Sequence, residues 1–198
     1  MTPYFRTTGM DFLQHFLPGQ ALEKNSHHSV GVQTAMHAQR WTIGLDAEST
    51  RGELLEIQPN PTESIPFLEE TIYAGKHYDY EVDARTLAVF ARYRQSLSAR
   101  TELTAGIRAE RVRYDYDNLM LAGRTRDDGT PCGFGGCRFN RPADRIDTFT
   151  NVSPRLGLTH RFNAGTQLYT YLSRGFRAPA GDRAVSAAKH PKRQQYRF

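Results

Sequence analysis

A chain of 198 residues can form one globular domain, and its excess of Lys and Arg gives a formal net charge of +5 and a pI near 9.4. A basic balance usually points to nucleic acid or a membrane surface. Here it is local, because 180–198 holds Arg183, Lys189, Lys192, Arg193 and Arg197 against Asp182 alone, which leaves the remainder almost neutral. No stretch of roughly 18 apolar residues exists to cross a membrane as a helix. The opening "MTPYFRTTGMDF" has neither the basic start nor the apolar run of a secretion signal.

From the N-terminus onward the dominant regularity is alternation, not helical periodicity. A short strand is expected over Tyr4–Thr8. "SVGVQTAM" and "RWTIGLDAES" predict strands over 29–38 and 40–50 with a tight turn near Gln39. In the second of these, Trp41, Ile43, Leu45 and Ala47 share one face and Thr42, Gly44, Asp46 and Glu48 the other. A long irregular segment follows over 51–81. "TLAVFARY" and "RTELTAGIRAER" then predict strands over 82–96 and 100–113 joined by "SLSA". After a second long segment, 115–148, "SPRLGLTHRF" and "TQLYTYLSRG" predict strands over 149–161 and 166–175 joined by "FNAG". The fold class is all-β, an antiparallel up-and-down meander of about seven strands.

Alternation alone also fits a soluble sandwich with a wet outer face. Two features favour a barrel wall. The strands exceed the usual length of about 5–6 residues, and the connections switch regularly between tight turns and long segments, with both long segments at one end. Trp41, Tyr93, Tyr114, Tyr116, Phe149 and Phe162 near strand ends suit membrane interfaces. The alternative is a soluble all-β ligand-binding or interaction domain, in which Leu103, Ile107, Leu156 and Leu158 would pack against a second sheet.

The stretch "NVSPRLGLTHRFNAGTQLYTYLSRGFRAP" resembles a barrel hairpin of TonB-dependent outer-membrane receptors, and the long upstream loops and the "GLDAE" strand are similar to the middle of that family's barrel. The motif residues are Ser173, Arg174, Gly175, Phe176, Arg177, Ala178 and Pro179. The resemblance covers residues 3–179 and implies a 22-stranded barrel, plugged by a globular domain, that takes up ferric siderophores, haem, cobalamin or other scarce nutrients with energy from TonB. Against that pattern, no plug-like region, TonB box or signal is expected in this chain. The expectation is therefore a partial barrel over 1–179, not competent for transport alone, with a basic non-family tail over 180–198. The family implies the outer membrane; the N-terminus by itself makes export doubtful. Phe198 is not expected to end a barrel strand, since Pro191 and Lys192 interrupt the alternation before it.

Cys132 and Cys137 flank a Gly-rich turn that permits a small disulfide, with free thiols or a metal pair as alternatives; a disulfide fits an exported parent better than a cytosolic chain. Tyr73, His77, Tyr78 and Tyr80 in the first long segment, and Arg124, Arg126, Arg138 and Arg141 in the second, suit an anionic iron chelate if the family reading holds, and otherwise are solvated loop surface. The adjacent His27 and His28, lacking a patterned third ligand, are read as polar loop residues and not as a metal site. On the polar face Arg108, Glu110, Arg155 and Arg161 are expected to form cross-strand ion pairs. No box of the haem-receptor kind follows "FRAP", no nucleophile–base arrangement or phosphate loop points to an enzyme, and no cofactor or nucleic-acid partner is expected.

Overall fold

Alternating side chains continue well past the apolar stretches, and so do the strands. The computed structural model describes residues 1–15 and 17–178. They form one antiparallel sheet in simple chain order: β1 (Thr2–Leu13), β2 (Leu22–Ala38), β3 (Trp41–Gln58), β4 (Gly75–Ser96), β5 (Thr101–Asn118), β6 (Arg145–Arg161) and β7 (Gln167–Ser173). One short helix, α1 (Pro66–Thr71), lies between β3 and β4. Seven strands in a meander are as expected, and among the described residues β1 and β7 are each paired on one side only.

The strand limits differ from expectation. β3 runs eight residues beyond 50 and β4 starts at Gly75, so the first long connection shrinks to 59–74 and the second to 119–144. His77, Tyr78 and Tyr80 are consequently strand residues, and His27 and His28 lie inside β2. The reason is that hydrophobicity stops marking the strand where the charged residues begin, whereas the ladder does not stop. Arg51 faces Asp83 and Glu53 faces Glu81 in unbroken register, and Arg51 is ion-paired to Glu81. The expected tail over 180–198, Pro179 of the motif and Phe198 lie outside the described residues.

The register assigns two faces. One carries Phe5, Val30, Met36, Trp41, Ile43, Leu45, Leu87, Val89, Ile107, Val152, Leu156, Leu158, Leu168 and Leu172, all exposed. No second sheet covers it among the described residues: Ile107 is 52% and Leu156 49% exposed. The sandwich alternative required these residues to be packed. At the edge nearest the tight turns, Trp41 and Tyr93 face each other with ring centroids 4.8 Å apart.

The opposite face is polar and cross-linked. Arg108 bridges Asp46 on β3 and Glu110 on its own strand, Arg6 pairs with Glu48 across two strands at 3.1 Å, and Tyr4 donates to the same carboxylate. Arg155 instead lies over the Tyr171 ring, 4.5 Å from its centroid. Three glycines on this face admit aromatic rings from directly opposite residues: Tyr4 over Gly31, Phe90 over Gly44 and Tyr171 over Gly157. A Cβ at Gly44 would meet the Phe90 ring at 2.3 Å and the Thr34 carbonyl at 2.4 Å. Gly44→Val is therefore expected to destabilise the β2–β3–β4 ladder by about 1–3 kcal/mol. Amide exchange along Thr34–Leu45 reads the effect, and wild-type protection in the variant would contradict it.

Candidate functional site

The end of the sheet that carries the long connections holds nearly all the fully buried polar side chains, and it is built on a bulge. Glu56 pairs with Tyr78 and Ile57 with Lys76, leaving His77 as the extra residue. The bulge turns His77 to the side of Glu56, where its ring is fully buried. Nε2 lies 2.8 Å from the Tyr73 carbonyl and Nδ1 lies 2.9 Å from Glu56 Oε1. A carbonyl can only accept, so Nε2 donates to it and Nδ1 is the nitrogen that faces the carboxylate. Phe139 stacks on the imidazole at 3.7 Å. Gln14, from the β1–β2 connection, donates from Nε2 to Glu56 Oε2 at 3.2 Å and to Glu23 at 3.1 Å. One carboxylate thus ties three parts of the chain together.

Arg141 forms a second hub. It is 1% exposed and has no ion pair among the described residues, yet each of its three guanidinium nitrogens donates to an oxygen. Nε donates to the Leu121 carbonyl at 2.8 Å, Nη1 to the Tyr73 hydroxyl at 2.9 Å, and Nη2 to both the carbonyl and hydroxyl oxygens of Thr125 and to the Arg126 carbonyl. Tyr73 in turn donates to the Lys76 carbonyl at 2.6 Å; its burial pushes the phenol above its ordinary range. The loop is further attached by a backbone bond from Arg138 N to the Thr71 carbonyl and by Asp127 accepting from Lys76 N.

Cys132 and Cys137 are bonded, with Cα atoms 4.9 Å apart, and both are buried beside Tyr73 and Phe139. Gly135 and Gly136, at φ +85° and +108°, let the chain turn inside this small ring. Removing so short a cross-link by Cys132→Ser/Cys137→Ser is expected to cost about 2 kcal/mol locally. Amide exchange should rise within 119–144 and stay unchanged in the middle of β4 and β5; unchanged exchange in the loop would contradict this.

The candidate ligand residues divide into two groups. Tyr73 and His77 are buried and hold the loops together, which leaves them no surface for a ligand, and the same is true of Arg141. Tyr78 and Tyr80 are partly exposed on β4; Tyr80 lies 5.0 Å from the Tyr116 ring and lines a cavity of about 600 Å³ with Met10, Asn25 and Leu54 among others. Arg124 is exposed and donates to the Cys137 carbonyl, and Arg126 is partly exposed. The sequence did not mark Gln14, Glu56 or Phe139. They are far apart in the chain, and a bulge has no period-2 signature.

A family model, TonB dependent receptor-like, beta-barrel, matches residues 4–195. The chain belongs to that family. It is a family of receptors and not of enzymes. No curated protein matches the sequence. Among solved structures, the ferric-catecholate import receptor Fiu of E. coli K12 is similar at 13% identity and a TM-score of 0.45, in an open and a closed form. The similarity covers 86% of this chain and 30% and 28% of the two receptor chains, so this chain spans about three-tenths of their length. Within the family motif, Ser173 closes β7, Arg174 N donates to the Pro154 carbonyl at 3.1 Å, and Gly175–Ala178 follow without regular structure.

Proposed function

We propose that this TonB-dependent receptor chain is a section of outer-membrane barrel wall, with its apolar face in lipid, its polar face toward the lumen and its clasped loops outside the cell. The observation that carries the reading is the exposed, alternating apolar face, shared by all seven strands and bounded by a Trp–Tyr pair beside the tight turns. In the whole receptor such a wall would serve uptake of a ferric siderophore or a similar scarce nutrient, together with a plug domain and TonB. Among the described residues β1 and β7 each keep one unpaired edge, which lipid does not tolerate, so this sheet is not expected to transport alone. Of the candidate ligand residues, Tyr78, Tyr80, Arg124 and Arg126 have exposure with which to meet an anionic chelate.

Trp41 is the single tryptophan and reports the test. In micelles of a maltoside detergent brominated on its alkyl chain, its fluorescence is expected to fall severalfold relative to the unbrominated detergent. Unquenched fluorescence would overturn the wall reading. Protection of 119–144 from proteolysis by a ferric tris-catecholate, but not by the iron-free chelator, tests the ligand class separately.

A further inference from the structure

Directly above the apolar belt, on the same outward face, the register places three arginines side by side. Arg85 on β4 is the cross-strand partner of Arg113 on β5, and Arg111 lies one step toward the belt, opposite Leu87. All three are exposed, and Arg85 and Arg111 make no hydrogen bond or ion pair among the described residues. Arg113 has only a 3.5 Å contact with Asp115. Like charges directly opposite each other in a sheet repel, so this arrangement is unfavourable unless an anion lies between them. Their neighbours on the flanking strands are hydrogen-bonding residues: Ser49 faces Arg85, Thr148 faces Arg113 and Thr150 faces Arg111.

The height of the cluster identifies the anion. Arg85 stands eight residues along β4 from Tyr93, about 26 Å of strand at ~3.3 Å per residue and roughly 20 Å of height at a barrel tilt near 40°. The arginine side chain carries its guanidinium several ångströms farther, to the top of an apolar band about 25 Å tall. That is the level of lipid phosphates and not of a soluble ligand in the lumen. Acidic residues Asp83 and Asp115 begin only in the row beyond it. We propose that Arg85, Arg111 and Arg113, assisted by Ser49, Thr148 and Thr150, bind the phosphomonoester headgroup of a membrane lipid on the outside of the wall. Planar guanidinium groups fork onto phosphate oxygens in a way that ammonium groups do not.

The proposal rests on the wall reading, and the test separates the two. The full chain is placed in dodecyl maltoside micelles containing equal amounts of phosphatidic acid and phosphatidylcholine, and retained lipid is counted by native mass spectrometry. Phosphatidic acid is expected to be retained selectively, and Arg85→Gln/Arg111→Gln/Arg113→Gln to lower that selectivity by about a hundredfold, three membrane-level cations acting together. Arg92→Gln/Arg94→Gln on the polar face should leave it intact. Equal retention by the triple variant, an equal loss in the polar-face variant, or displacement by equimolar inorganic phosphate would overturn the assignment. If Trp41 is quenched by brominated detergent while selectivity is absent, the lipid site fails and the wall reading stands. If Trp41 is not quenched, the wall itself fails.

Discussion

Arg141→Ala is expected to release the 119–144 loop from the sheet. The guanidinium satisfies five oxygen acceptors, from Leu121, Tyr73, Thr125 and Arg126, and is itself almost wholly buried. Truncation removes the donor from the Leu121 and Thr125 carbonyls, leaves the Arg126 carbonyl only its bond from Gly129 N, and opens a void where the side chain was, at a local cost of about 3–5 kcal/mol by analogy with broken buried charge networks. Arg124 and Arg126 lie within the released segment and are tryptic sites. If cleavage follows the population of the opened loop, it should accelerate there by roughly a hundredfold or more. Arg141→Lys should recover little, since one ammonium cannot reproduce the planar fork. Wild-type cleavage kinetics in the alanine variant would show that the loop is held by its bonds to Thr71 and Lys76 and not by this arginine.

The second large effect is expected at Glu56. Its carboxylate accepts from Gln14 on one oxygen and faces His77 Nδ1 with the other. Glu56→Ala strands His77 Nδ1 in a buried site and leaves Gln14 only Glu23 as acceptor, and about 3 kcal/mol of local stability should be lost. The loss should appear as faster amide exchange at His77–Tyr80 and in 14–21, two segments distant in sequence that this residue joins. Glu53→Ala, three positions away on the exposed face, should stay within about 0.5 kcal/mol of wild type. If both variants behaved alike, the bulge would be held by backbone pairing alone.

How legible these sites were depends on what kind of pattern holds them. Ile43, Leu45, Leu87, Val89, Ile107 and Leu156 announced the sheet, because every second residue had to be apolar, and the tight turns near Gln39 and at 97–100 fixed the order of the strands. The outer third of each strand was unreadable by the same criterion. Arg51–Gln58 and Gly75–Glu81 mix charged residues with Leu54, Leu55, Ile57, Tyr78 and Tyr80 out of strict alternation, and a strand without a period-2 apolar face looks like a loop. The disulfide was suggested by its glycine-rich spacing. Arg141 reads in the sequence as a basic loop residue, and its burial leaves no signature there, because the acceptors that enclose it are mostly backbone carbonyls and every sequence supplies those. Tyr73 and His77 have side chains suited to a ligand, yet the bulge beside Glu56 turns them to fastening the loops.

The glycines opposite Tyr4, Phe90 and Tyr171 have an effect beyond register. An aromatic ring that lies down over a bare backbone position can rest lower on the sheet than one facing a side chain, and this holds for Tyr4, Phe90 and Tyr171. At these three positions the backbone itself, and not a facing side chain, forms the floor on which the ring rests, so a substituent there would displace the ring and not merely crowd it.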